Sequence, residues 1–405
     1  MVQPMPSLAQ TRNPLDIVII GAGIGGLSAG IALQQSGHRV RLFDRVARLT
    51  PAGAAISVWP NGVDVLEKLG MGAAIKAVSG TMNSMSYHTR QGEPLTQFSL
   101  QPLYDTLAQH ACPIARTSLQ GILLQACGEA MVSLGISCET VEAVGERMRV
   151  TLSDGQCLEA DLVIAADGTH SRLRNVVAGR TVTRDYCGYV NWNGRIDATA
   201  DLGPATEWTQ FVGDHKRVSL MPMGNDQFYF FFDVPLPAGT INDRNQYRAE
   251  LREHFSGWAA PVQRLIERLD PERVSRVEIH DIVPLDSLVK DRLVLLGDAA
   301  HPMAPDLGQG GCQAMEDAWV LARCLQLAPE DVRAALAHYD HARVERTAGI
   351  MRRARARSDI THGREPLQTQ AWYRELAEES GERVIAGIVK TATGGGELLH
   401  DPVMP

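Results

Sequence analysis

The sequence predicts an α/β protein: a domain built on a parallel sheet, interrupted by an inserted β-sheet domain and followed by a long C-terminal helix. Three observations predict it. A glycine-rich turn, "GAGIGG", stands between a short apolar strand and a helical repeat near the start of the chain. Two later apolar runs, in "DLVIAADGTHSRLR" (161–174) and "DRLVLLGDAAHPMAPDLGQGG" (291–311), read as buried strands ending in Asp167-Gly168 and Gly297-Asp298. Between those runs, about 181–280 carries short strand patterns separated by the turn signals "VGDHK" and "GNDQ".

Length and charge bound the answer first. The 405 residues exceed one ordinary core, so two domains are expected. A net charge of −8 and a pI near 5.9 argue against a general nucleic-acid binder. Seven cysteines, an odd number without a C-x-x-C pair, suit free thiols in a reducing compartment. The apolar run 17–33 is broken by glycines, lacks a preceding cationic region and is short for a membrane span. The chain is therefore expected to be soluble and cytoplasmic, with no membrane and no nucleic-acid partner. Residues 1–14 and 391–405, the latter with its "GGG", are expected to be flexible tails.

The first element to justify is the strand "DIVII" from Asp16, followed by Gly21, Gly23 and Gly26 in the pattern G-x-G-x-x-G. Glycine is asked for at each place by a tight turn, by close approach of a pyrophosphate, and by close helix–strand packing. The helix in "LSAGIALQQSG" offers unpaired N–H groups and a positive dipole end to that phosphate, and Gly37 suits its C-cap. "HRVRLF" alternates as a second strand, and Asp44 at its end is placed to accept from ribose hydroxyls. Strand, turn, helix, strand and acid in this order define a Rossmann-like dinucleotide site.

With the Asp167-Gly168 and Gly297-Asp298 turns added, the motif set resembles the flavoprotein aromatic hydroxylases of the p-hydroxybenzoate hydroxylase type. The resemblance runs from Asp16 to about Leu376. It implies FAD as cofactor, with Asp298 on the ribityl chain and Arg116 near the phosphates, just before a T-x-x-Q capping box. It also implies that Ser171, Arg172 and Arg174 lie beside the pyrophosphate and the reductant's approach. Gly308 to Gly311 would bring backbone N–H groups to the flavin's pyrimidine edge, where a helix N-terminus favours the charge of reduced flavin. On this reading the FAD-binding domain is discontinuous, made of 15–75, 110–180 and 281–345. Residues 76–109 and 181–280 form the substrate-binding sheet domain, and 346–390 the C-terminal helical segment. The arginine cluster of that helix is read as a solvated face, given the chain's acidity.

In that family FAD is reduced by NAD(P)H and reacts with O2 to a C4a-hydroperoxide, which delivers an electrophilic oxygen. The substrate must then be electron-rich. Four of the chain's eight Phe, with Tyr229 among them, lie between Phe228 and Phe232. This block, with "AAISVWPNG", "GYVNWNG", "KRVSLMP" and "DITHG", resembles the bacterial FAD-dependent urate hydroxylases. The resemblance implies that Asn191, Arg217 and Tyr229 bind a purine, that Phe230 and Phe231 wall it, and that Asp306 lies near the reacting face. Arg217, Tyr229 and Asp306 are the catalytic candidates. The chemistry is coherent by itself. A guanidinium fork meets adjacent anionic atoms of a flat heterocycle, Asn supplies a donor and an acceptor, and rings exclude water. Urate, O2 and NADH or NADPH are thus the expected reactants, the reaction giving 5-hydroxyisourate by attack on C5.

Blander readings stand beside these. A lone strand Arg is usually a surface or salt-bridge residue, and Asp306 in its turn can simply accept nearby N–H groups. His301 is more readily a residue packed by the cofactor than a base. Two other functions fit parts of the chain: the same fold acting on a hydroxybenzoate or hydroxynicotinate, and a dinucleotide-binding redox sensor without turnover.

Overall fold

The computed structural model describes residues 8, 10–49 and 53–400. Its first layer is a six-stranded sheet. The strand Asp16–Ile20 lies between Arg39–Asp44 and Leu162–Ala165, parallel to both. Val132–Leu134 extends one side, and Leu293–Leu295 with the antiparallel Val289–Lys290 extends the other. Val18, Ile19, Val163, Ile164 and Val294 are fully buried, because the helix Ile24–Gln35 packs on this sheet and Met148, Val150 and Leu152 of a smaller neighbouring sheet join the same core. The helices Ile24–Gln35 and Gly310–Leu327 pack together, and they can do so closely because Gly25 lacks a side chain: a Cβ there would lie 3.2 Å from Ala314 Cβ on the second helix.

The second layer is a seven-stranded sheet, in the order Ser275–Asp281, Asp185–Asp197, Gln227–Pro235, Lys216–Met223, Glu207–Gly213, Ser84–Thr89, Pro94–Ser99. Residues 84–99 thus join 185–281 across 85 residues of intervening chain, through a parallel pairing of Ser84–Thr89 with Glu207–Gly213. Helices Tyr247–His254 and Ala260–Arg268 close a separate core on one face with Trp192, Phe228, Phe230, Phe232 and Phe255. The opposite face looks toward the first domain. A three-stranded sheet, Cys138–Val144, Arg147–Leu152 and Cys157–Ala160, is an addition that the sequence reading did not single out.

Two expectations are corrected. The helix Val332–Thr361 is not simply solvated on its arginine face: Arg343 has no exposed side-chain surface and Arg346 only 8%. Acids on the neighbouring helix pair with both and draw them inside. The first part of the expected C-terminal tail is helical at both ends and buried at three positions, not loose along its length. Thr391 and Ala392 finish the helix Glu382–Thr393 and are buried, and Leu399 is 3% exposed. At the other end Leu8 is buried, and Thr11 donates to Ser36 O at 2.8 Å. Residues 1–7, 9 and 401–405 of the expected tails lie outside the described residues. Among the described residues, no helix is long and apolar enough to cross a membrane.

Candidate active site

One cavity of about 450 Å³ runs from the glycine-rich turns to the second sheet. At its first end Gly21 has φ +111°, and a Cβ there would lie 2.1 Å from Ala166 O. A Cβ on Gly26 would meet Gly21 O at 1.9 Å, so the helix can seat on the strand only without one. Gly23 is different. Nothing stands within 4 Å of its absent Cβ, and it lines the cavity with Ile24 and Gly25. That open space above a helix N-terminus is where a phosphate would approach backbone N–H groups. Asp44 closes the turn, accepting from Ala22 N at 2.7 Å and Val46 N at 3.0 Å, with lone pairs left for a ribose.

The later motifs frame the same space. Asp298 is exposed and lines the cavity beside Gly308, Gly310 and Gly311, at the N-terminus of the helix Gly310–Leu327. Gly308 has φ +62°, a left-handed turn residue at which L side chains are strained. Arg116 lines the cavity and donates from Nε to Ala55 O at 3.3 Å. The T-x-x-Q capping box does not form. Thr117 lies inside its helix, Ala115 is the N-cap, and Gln120 instead donates to Ala22 O at 2.9 Å. Arg174 is also not free for a ligand. It is 2% exposed and donates to Ala299 O at 2.7 Å and Asp298 O at 2.6 Å, binding the two turns together. Ser171 accepts from Arg174 N at 3.0 Å, while Arg172 is exposed, its N–H going to Asp167 Oδ2. Burial pushes the Asp167 carboxyl up from its ordinary value.

The second end is built by strand register. Arg217 stands opposite Asp233, Ser219 opposite Phe231, and Met221 opposite Tyr229. Asn191 also pairs with Asp233, and Asn193 with Phe231. Residues opposite one another in an antiparallel pair share a face, so all of these point the same way. Asn191, Asn193, Arg217, Met221, Tyr229 and Phe231 line the cavity. Phe230 does not. It is 1% exposed on the far face, in the core with Phe228 and Phe232, because side chains alternate along a strand. The expectation that Phe230 walls the substrate is therefore corrected, and Phe231 alone of that pair faces the cavity.

Polar contacts order this end. Arg217 donates from Nε to Asp233 Oδ2 at 2.8 Å and from Nη2 to Asp306 Oδ1 at 3.0 Å, with its guanidinium 5.1 Å from the Phe231 ring. Among the described residues nothing hydrogen-bonds its Nη1 or the Tyr229 hydroxyl. Asn191 donates to Asp233 Oδ1 at 2.6 Å and accepts from Asn193 Nδ2 at 2.8 Å, and Asn193 Oδ1 accepts from Ala54 N. Asp306 has no exposed side-chain surface. It accepts from Tyr189 at 2.8 Å and lies 3.6 Å from His362 Nε2, whose ring stacks on Tyr189 at 3.8 Å. It lines the cavity beside Arg217 and braces that guanidinium.

Burial works against the charge of Asp306, but Arg217, His362 and the Tyr189 hydrogen bond outweigh it and hold the carboxyl below the usual range. Burial likewise opposes the charge on Arg217, and Asp233 and Asp306 more than restore it. Desolvation pushes the Tyr229 hydroxyl up to about 12, so it remains a donor at neutral pH. Asp233, Tyr189 and His362 escaped the sequence reading as site residues. Their one signal was membership in the quoted blocks "FYFFFDVP", "GYVNWNG" and "DITHG". Trp208, on the cavity wall with Nε1 donating to Ser219 at 2.6 Å, carried none. His301 is fully buried against Asp317 at 2.6 Å, a core pair and not a base.

A parallel-sheet domain split by a sheet insert, with one cavity joining its glycine turns to that insert, defines the fold of the class A flavoprotein hydroxylases. Residues 14–354 match the family model for the FAD binding domain. The FAD-dependent urate hydroxylase of Klebsiella pneumoniae is 48% identical over 379 residues, covering 93% of this chain and 98% of that one. That of Mycolicibacterium vanbaalenii is 46% identical over 386 residues, covering 94% and 97%. The crystal structure of Klebsiella pneumoniae HpxO complexed with FAD and uric acid superposes with a TM-score of 0.92 at 48% identity, covering 94% of this chain and 97% of that one. The chain belongs to the FAD-binding flavoprotein hydroxylase family that includes these urate hydroxylases.

Proposed function

We propose that this protein hydroxylates urate at C5: urate, NAD(P)H, a proton and O2 give 5-hydroxyisourate, NAD(P)+ and water. The observation that carries the reading is the single cavity in which Arg217, Tyr229 and Asn191 face the same space as the glycine-lined FAD cradle. The relatives that bear the urate hydroxylase name, and the one crystallised with uric acid, support the choice of purine.

When bound, FAD supplies hydride acceptance from NAD(P)H and activation of O2. The chain's residues bind and orient. Arg217, held on two sides by carboxylates, offers Nη1 to the anionic edge of the ring. Tyr229 donates a hydroxyl hydrogen bond to a urate carbonyl or nitrogen, and Phe231 and Trp208 keep water from the faces. Stabilising the urate anion raises the electron density at C5, which must attack an electrophilic oxygen. Asp306, at the cavity edge, is assigned to positioning Arg217, since its carboxylate is held by Arg217 and Tyr189 with His362 beside it. Asp298 is assigned to the ribityl chain, and Asp44 and Arg116 to the dinucleotide. The free cysteines, with Cys157 exposed, suit a cytoplasmic setting, and no membrane or nucleic-acid partner is part of the reading.

The test is turnover under 18-O2. NADH and O2 should be consumed quickly only with urate present, and not with xanthine or a hydroxybenzoate, with label in the product. Urate consumption without incorporation of label would assign an oxidase or dehydrogenase instead.

A further inference from the structure

Behind the FAD cradle lies a buried polar ring that the reaction does not use. Its centre is Arg343, on the helix Val332–Thr361, with no exposed side-chain surface. It donates from Nε to Asp317 at 2.6 Å and from Nη1 to Glu316 at 2.9 Å, two adjacent acids on the helix Gly310–Leu327. Both acids are wholly buried as well.

Each acid reaches a different cofactor-facing turn. Asp317 accepts from the backbone N–H of Gly297 at 2.8 Å, the residue before Asp298. Glu316 accepts from Asn61 at 2.7 Å and from Gln313 at 3.1 Å. Those two amides in turn donate to the Gln309 side-chain oxygen, at 3.0 and 3.1 Å. Gln309 is 3% exposed, lines the cavity and sits directly before the helix N-terminus. The ring therefore ends at both turns that flank the cavity: Gly297-Asp298 on one side, Gly308–Gly311 on the other.

We infer that Arg343, with Asn61 as its link to Gln309, is a positioning device for FAD that sets the spacing between these two turns. With its Nη2 bonds to Gln313 O and Oε1, Arg343 makes four hydrogen bonds, and a buried charge so held is a rigid spacer, since any displacement leaves a polar atom unpaired in low dielectric. Hydrophobic residues of similar volume could fill the same space at no loss of stability. Geometry at the cavity is what the ring adds. The inference rests on the FAD site described above and is independent of the urate assignment.

The test uses the full chain, FAD titrated into apoprotein without urate, and two variants. Asn61→Leu keeps the volume and removes the link. FAD binding should weaken about tenfold, the loss expected of one or two buried hydrogen bonds. The flavin absorption bands of the loaded protein should shift, and this is the readout that a merely structural role does not move, since the apoprotein melting temperature should also fall as Gln309 and Glu316 each lose a partner. Arg343→Lys keeps the charge and loses the fork; it should also weaken FAD binding. In the double variant the two losses should be less than multiplicative, because both act through one path. Variants that bind FAD as tightly as wild type with an unchanged flavin spectrum would overturn the proposal, whatever their melting temperatures, and so would fully multiplicative losses. Failure of the wild-type chain itself to take up FAD would overturn the cofactor assignment and the device with it.

Discussion

Arg217 and Asp233 stand directly opposite each other on neighbouring strands, and the carboxylate oxygen Oδ2 accepts from Nε at 2.8 Å and lies 2.7 Å from Nη2. The guanidinium plane is thereby set before any substrate arrives. With Asp306 on the other side, one cation serves two carboxylates. Arg357, whose charge acts on both Arg217 and Asp306, offsets the excess negative charge. An anionic ring can then enter without net repulsion.

Arg217→Ala is expected to do two things at once. Coupled hydroxylation should fall by about two to four decades, from the loss of a buried charged contact. The fold should also weaken by about 3–5 kcal/mol, because Asp233 and Asp306 are left buried without their cation. Arg217→Lys should recover part of the stability and little of the coupling, since a point charge cannot reproduce the fork. Melting temperature and the peroxide-to-product ratio from one preparation check both halves. Normal coupling in a destabilised Arg217→Ala enzyme would remove the residue from substrate binding.

Asp306 gives a pH signature. Its carboxyl is held below its ordinary value of 3.8, so the ionised form favours the folded state. That contribution is complete above the unfolded value and is lost as pH falls below it, toward the lower folded value. Wild-type melting temperature should therefore drop as pH is lowered through about 4. Asp306→Asn should be less stable at neutral pH and show a shallower drop on acidification. Thermal melts between neutral and acid pH check it. A parallel pair of curves would mean that Asp306 does not titrate with folding.

The two adjacent phenylalanines should separate cleanly. Phe230→Ala empties a packed core position and should cost about 3–5 kcal/mol of stability, with urate affinity retained in the folded fraction. Phe231→Ala faces the cavity and lies under Arg217, so stability should change little while the KM for urate rises. Urea melts paired with steady-state kinetics distinguish them. The opposite assignment of effects would reverse the strand's facing.

The glycines of the first turn make a sharper pair. In Gly23→Ala the new methyl enters open space, so the protein should fold normally and lose FAD affinity. In Gly26→Ala the methyl would sit 1.9 Å from Gly21 O, and the helix must lift off its strand. Soluble yield and melting temperature of the apoprotein should fall for the second variant only. Full FAD affinity in Gly23→Ala would contradict the phosphate role of that turn.

The sequence by itself determined whatever depends on neighbours in the chain. A strand, a tight turn, a helix and a terminal acid within Asp16–Asp44 announce their chemistry because the contacts involved are local. The later Asp-Gly and Gly-Asp turns are ordinary strand ends by themselves and gain meaning only beside that first motif. The sequence also pointed to Arg217 and Tyr229, through the resemblance of the blocks "KRVSLMP" and "FYFFFDVP" to those of the urate hydroxylases. The two-residue period of a strand says that Phe230 and Phe231 face opposite ways, but not which faces the cavity. That was decided by the helices Tyr247–His254 and Ala260–Arg268, which cover one side of the sheet. Tertiary structure alone decided that Asp306 braces Arg217 from 89 residues away, and that His362 stacks on Tyr189. It decided as well that Arg343 is buried rather than solvated. The physical reason is the same in each case. A charged side chain is inside or outside according to whether opposite charges and hydrogen-bond partners meet it there, and those partners are brought by packing from distant parts of the chain.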